Sequence, residues 1–259
     1  NPKTLKSDVC EAYKKIGANR ISIGMQSVHE NELKRLGRIH TYEDFVISYE
    51  LARKYFDNVS VDVMYGIPGQ TLESFSQTLE RVTALSPEHI SVYGLIIEEG
   101  TPFYRERDNL DTPSEDDESE MYSLARRKLR SMGYRHYEIS NYAREGFCSR
   151  HNMKYWRTEP YVGVGVSAAS YFGKKRYTNT RSILEYSAPL GAKYVRTEES
   201  VDELCEYIML ALRTDDGILL SDFVEKFGNG LLEEKLDEIE KIVPEFPEKY
   251  VRPSAWNTL

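Results

Sequence analysis

Two groups of side chains have the types and spacing to do chemistry. In the first, Gln26 directly follows the run Arg20 to Met25 (RISIGM), Asp62 lies within the run Asn58 to Tyr65 (NVSVDVMY), and Arg38 stands twelve residues beyond Gln26. An amide donates and accepts, a carboxylate accepts from hydroxyls or amines, and a guanidinium grips a ligand carboxylate with two parallel hydrogen bonds. The second group is His151, Asn152, Tyr155 and Trp156 in HNMKYW. It offers an imidazole to a metal and flat aromatic faces to a planar ligand.

Each feature has a plainer reading. Polar groups at strand ends commonly satisfy loop amides, a surface arginine is the default, and a histidine among aromatics is more often a structural group. Cys148 lies three residues before His151, but a single Cys/His pair does not complete a tetrahedral zinc site. Gly163 and Gly165 in GVGVSA lack the third glycine of a dinucleotide fingerprint, so a close backbone approach explains them better. The acidic run Glu115 to Glu118 reads as the solvated start of a helix, where negative charge suits the helix dipole.

The elements that must position these residues alternate between strand and helix. Arg20 to Met25, Asn58 to Tyr65 and His89 to Ile97 are rich in Ile and Val, at one strand every 30 to 40 residues. Period-2 alternation sends Ile21, Ile23 and Met25 to one face and Ser22, Gly24 and Gln26 to the other. In the second run Val59, Val61, Val63 and Tyr65 oppose Ser60, Asp62, Met64 and Gly66. In a β/α barrel the small and polar face points inward, so Gln26 and Asp62 face one cavity near the C-terminal ends of adjacent strands, where barrel enzymes keep their sites.

Tyr42 to Phe56 has helical spacing, with Thr41 and Asp44 as a capping box; Thr71 caps a helix bearing Leu72, Phe75, Leu79 and Val82; Ser114 opens a helix closed by Gly133. The aromatic-rich stretch Tyr134 to Tyr177 has no clear period. Beyond Thr180 the pattern is helical, best in Val201 to Arg213 and Leu231 to Val243, which places a boundary between residues 1–179 and 180–259.

Of 259 residues, 34 are Lys or Arg and 42 are Asp or Glu, for a net charge of −8. That balance, with no basic stripe, argues against a nucleic-acid partner, whose affinity comes mostly from cations on phosphates. No apolar run of about 18 residues suggests an integral membrane segment, and no secretory leader is evident. Cys10, Cys148 and Cys205 are too few and too scattered for a disulfide framework, which points to the cytoplasm.

Taken together, RISIGMQS, Arg38, SVDVMYGIPGQT, HISVYGLIIEEGTP, GYRHYEISNYA and HNMKYW closely resemble the oxygen-independent coproporphyrinogen III oxidase-like radical SAM proteins, and within them the HemW-type heme-chaperone branch. The resemblance runs from Asn1 to about Arg213. It implies an α/β fold, the C-terminal part of a partial (β/α)6 TIM-like barrel followed by a small helical domain, with S-adenosylmethionine and a 4Fe-4S cluster as cofactors. The family's contacts to S-adenosylmethionine fall on Gln26, Arg38 and Asp62, and a hydrophobic contact near the adenine falls on Ile96. Its heme-associated H-N-x-x-Y-W motif falls on His151, Asn152, Tyr155 and Trp156, which implies heme as a ligand and His151 as a ligand of its iron.

The implied function is that of a heme chaperone passing heme to an acceptor protein. The alternative is an oxygen-independent oxidase that decarboxylates coproporphyrinogen III to protoporphyrinogen IX; a third is a binding module without redox chemistry. No catalytic residue is assigned. The family's C-x-x-x-C-x-x-C motif is absent, so the ligands of the cluster are missing from this chain. Asn1-Pro2 reads as the tail of a Glu-x-Asn-Pro segment ending the third barrel strand, so the resemblance implies an N-terminally truncated fragment.

Overall fold

Ile and Val at every second position make three short parallel strands, each with one apolar face that a following helix covers. The computed structural model describes residues 1–188 and 196–242, which belong to two units, Asn1–Met153 and Lys154–Leu259. The first unit contains α1 (Ser7–Lys15), β1 (Ile21–Gln26), α2 (Glu30–Arg35), α3 (Tyr42–Arg53), β2 (Val59–Tyr65), α4 (Leu72–Ala84), β3 (His89–Gly94), α5 (Pro102–Glu106), α6 (Glu115–Ser131), β4 (Arg135–Glu138) and β5 (Asn141–Ala143). Helix α7 (Arg150–Trp156) begins in the first unit and ends in the second.

The strands lie in the order β1-β2-β3-β5-β4, parallel from β1 to β3 and antiparallel beyond. Ile23, Met25, Val59, Val61, Val63, Ile90 and Val92 are buried in one cluster with helix residues such as Phe45, Phe75, Leu79 and Leu129. Full burial of such side chains is worth about 1.5–3 kcal/mol each, so this row dictates the faces. The expected capping box forms at Thr41/Asp44, and Thr71 and Ser114, expected only to cap and to open their helices, form boxes as well, with Ser74 and Asp117. Each satisfies two orphan backbone donors at its helix start.

Several expectations shift. β3 ends at Gly94 rather than Ile97, because Thr101 NH bonds Glu98 O in a turn and Thr101 then caps α5 with Pro102 at its first position. The stretch 134–143, opaque as sequence, is a hairpin that extends the sheet. Glu118 is half-buried rather than solvated: its Oε1 lies 3.1 Å from where a Cβ on Gly66 would stand.

The second unit holds β6 (Ala169–Phe172), β7 (Lys175–Asn179), α8 (Ile183–Tyr186), β8 (Arg196–Ser200), α9 (Glu203–Ala211), α10 (Leu220–Phe227) and α11 (Asn229–Ile242). β6, β7 and β8 form an antiparallel sheet in that order. The region after Thr180 is therefore not purely helical, and the units part at Met153/Lys154 rather than near Thr180, because β8 pairs with β7 from before that point. Gly163 is the expected close approach: an added Cβ would meet Ala169 O at 2.1 Å. The proposed helix end Val243 lies outside the described residues.

A buried carboxylate ties the loops after β1 and β2 together. Glu32, 2% exposed, accepts from Ser27 Oγ at 2.5 Å, Gln70 Nε2 at 3.1 Å and Ser74 Oγ at 2.6 Å. Gln70 Oε1 in turn accepts from Ile67 NH. Glu32→Ala would strand three donors, and we expect it to lower the unfolding free energy by about 2–4 kcal/mol in a urea titration. A loss below about 1 kcal/mol would show that the loops are held by other contacts.

Candidate functional site

The end of β1 departs from regular parallel pairing. Gly24 sits opposite Asp62, but Gln26 is opposite Val63, so two residues of β1 match one step of β2 in a bulge. Gln26 has φ +72°, rare for a residue with a side chain, and is 2% exposed. The bulge turns its side chain back over Gly24, where a Cβ would stand 2.8 Å from Gln26 Nε2 and 3.9 Å from Asp62 Oδ2. The space that the missing side chain of Gly24 leaves is a small cradle filled by the Gln26 amide, with Asp62 Oδ2 at its edge.

Two further groups fix these poles. Tyr93 on β3 donates its hydroxyl to Gln26 Oε1 at 2.9 Å, and Ser22 donates to Asp62 Oδ1 at 2.8 Å. Burial, with Asp62 nearby, raises the Tyr93 phenol above its ordinary pKa, so it remains a donor. Neither residue was singled out from sequence. The same inward parity that selects Asp62 runs through His89, Ser91 and Tyr93, and that alternation is the signal that could have found Tyr93.

Arg38 is half-buried, donates to Asn1 Oδ1 at 2.8 Å, and is close enough to act electrostatically on Tyr93. Ile96 lies two residues beyond β3 and is 78% exposed, with its side chain free for an apolar contact.

His151, Asn152, Tyr155 and Trp156 all lie on α7. Their spacing places His151 with Tyr155, and Asn152 with Trp156, on adjacent stripes one turn apart. His151 and Tyr155 are exposed and Trp156 half-buried; Tyr155 also meets Tyr161 edge-on at 4.7 Å. The start of α7 is anchored within the first unit. Ser149 Oγ accepts from Asn152 NH at 3.4 Å, while Ser149 NH donates to Tyr137 Oη at 3.2 Å.

From Tyr137 a buried polar chain runs across the sheet: Tyr137 Oη lies 2.8 Å from His89 Nε2, and His89 Nδ1 2.8 Å from Ser60 Oγ. Burial, aided by Arg20, holds the His89 imidazole down to about 3, so the ring is neutral and offers one donor and one acceptor nitrogen to its two hydroxyl partners.

Metal donors are sparse. Among the described residues no three His, Cys, Asp or Glu side chains come together as a group that could hold a metal ion, so these donors do not by themselves fit an iron–sulfur cluster. Nor is any helix among them long and apolar enough to cross a membrane.

Residues 1–82 match the Radical SAM superfamily. The chain is 37% identical over 242 residues to the heme chaperone HemW of Bacillus subtilis (strain 168), covering 89% of this chain and 63% of that protein. It is 35% identical over 238 residues to the HemW of Lactococcus lactis subsp. lactis (strain IL1403), covering 88% and 62%. The chain thus spans about three fifths of the length of these curated relatives. Its fold is similar to that of coproporphyrinogen III oxidase (HemN) from Escherichia coli, a radical SAM enzyme, at TM-score 0.75 and 20% identity over 94% of this chain and 60% of that one.

The buried imidazole makes stability depend on pH with a definite sign. Above the ordinary value near 6.5 His89 is neutral folded or unfolded; as pH falls toward about 3, only the unfolded chain takes up the proton. Stability therefore falls with pH in that window, by up to about 1.4 kcal/mol per unit from this group. We expect His89→Gln to narrow the difference in unfolding free energy between pH 7.5 and 5.5 by about 1 kcal/mol relative to the unaltered protein. An equal pH dependence in both would show that His89 is not held neutral.

Proposed function

We propose that the chain, whose residues 1–82 match the Radical SAM superfamily and which is similar to heme chaperones, binds heme through α7 and S-adenosylmethionine at the rim of the parallel strands, as part of a protein that passes heme to an acceptor. The observation that carries the heme reading is the placement of HNMKYW. The motif forms a short helix that turns an exposed imidazole and an exposed phenol to the same side. A neutral imidazole is a common axial ligand of heme iron, and flat side chains pack on a macrocycle.

S-adenosylmethionine suits the rim for a separate reason. The cradle over Gly24 presents Gln26 Nε2 as donor and Asp62 Oδ2 as acceptor, the pair that a ribose with its hydroxyls requires. Arg38 supplies a cation for the ligand carboxylate, and exposed Ile96 an apolar surface for the adenine. When bound, S-adenosylmethionine would supply radical chemistry only with an electron from a 4Fe-4S cluster; the residues named here would bind and orient it. A cytoplasmic site of action is supported by the cysteines, none of which is in a disulfide. The acceptor of the heme is an unidentified protein.

Titration of hemin into the full-length protein tests the heme reading. We expect His151→Ala to weaken binding at least about ten-fold and to shift the Soret band, as loss of an axial ligand should. Identical affinity and spectrum in the variant would remove His151 from the iron.

A further inference from the structure

We propose that Tyr93 is a positioning residue for the adenosyl ligand, its hydroxyl fixing the Gln26 amide so that Nε2 rather than Oε1 faces the cradle over Gly24. This inference rests on the reading of Gln26 and Asp62 as contacts to S-adenosylmethionine. A glutamine amide can present either pole to a ligand, and rotation by half a turn exchanges a donor for an acceptor. Tyr93 biases that choice: its O–H donates to Oε1 at 2.9 Å, which leaves Nε2 toward the site, whereas the rotated amide would donate to the same hydroxyl and leave the phenol proton without this acceptor.

The groups around Tyr93 keep it in the donating form. Asp62 opposes formation of a phenolate and burial opposes it more strongly, whereas Arg38 and the bond to Gln26 act in the other direction without overcoming them. Ser22 sorts the second pole in the same way. By donating to Asp62 Oδ1 it leaves Oδ2 as the acceptor nearest the cradle. The result is a fixed donor beside a fixed acceptor, which matches a nucleoside sugar offering an oxygen acceptor next to a hydroxyl. The same bond helps hold Gln26 at φ +72°, a backbone conformation that persists only where its surroundings over-determine it.

Equilibrium dialysis of S-adenosylmethionine against the full-length protein tests this with four variants: Tyr93→Phe, Gln26→Ala, their double variant, and Gln26→Glu. Loss of one neutral hydrogen bond corresponds to roughly five-fold, so we expect Tyr93→Phe to weaken binding by about that factor in the unaltered background and by less than about two-fold when Gln26 is already Ala. A merely structural tyrosine would act equally in both backgrounds, and that result would overturn the proposal. Gln26→Glu keeps an acceptor for Tyr93 but removes the donor, and is expected to weaken binding as much as Gln26→Ala; unchanged binding would overturn the proposal even if Tyr93→Phe failed to fold. Should Gln26→Ala bind as the unaltered protein does, the underlying reading of Gln26 as a contact falls, and the role of Tyr93 with it. Weakening by Gln26→Ala and Gln26→Glu with none by Tyr93→Phe would sink the role of Tyr93 alone.

Discussion

Gly24 has no side chain opposite Asp62, and the rim of the sheet is organised around that vacancy. A Cβ there would lie 2.8 Å from Gln26 Nε2, so any other residue would force the amide to shift. The vacancy is usable only because the bulge at the end of β1 lets Gln26 fold back over it. The conformation this demands, φ +72° in a residue with a long side chain, costs of order 1–3 kcal/mol and must be held by its surroundings. The hydroxyl of Tyr93 is one such hold.

Around this point the unit uses buried polar groups to fix loops that the apolar core cannot reach. Glu32 gathers Ser27, Gln70 and Ser74 and so joins the segments following β1 and β2. The chain from Ser60 through His89 and Tyr137 to Ser149 runs from the inner face of the sheet to the start of α7. Each group in these networks has lost water, and each is worth having only because it has a partner; an unpaired member would cost about 1–3 kcal/mol. The start of α7 and the rim are thus both tied to the same sheet by directional bonds, while Ile, Val and Phe side chains are buried together in the core.

What could be read from the sequence followed local rules. The three parallel strands, their inward and outward rows, and the helix starts at Thr41, Thr71 and Ser114 each depend on residues within a few positions of one another. Elements without an apolar period escaped. The hairpin of β4 and β5 comes from RHYEISNYA, and β8 from RTEES, which has no apolar residue at all; both are strands because a neighbour offers them a hydrogen-bonding edge. The unit boundary moved for the same reason, since β8 joins a sheet begun before Thr180.

Residue types and parity alone place Gln26 and Asp62 near the ends of adjacent strands, but the bulge that turns Gln26 back over Gly24 is not legible in strand alternation. The motif HNMKYW had only to be helical for its aromatic and imidazole groups to share a side. Which polar groups became partners was decided by the tertiary structure. Glu32 is one acidic residue in the polar helix ENELKR, and nothing local marks it as buried; Tyr93 reaches Gln26 across 67 positions of chain. Such pairings depend on strand register and loop closure, which bring distant segments together, and it is the exclusion of water on closure that turns an ordinary carboxylate or phenol into a fixed part of the site.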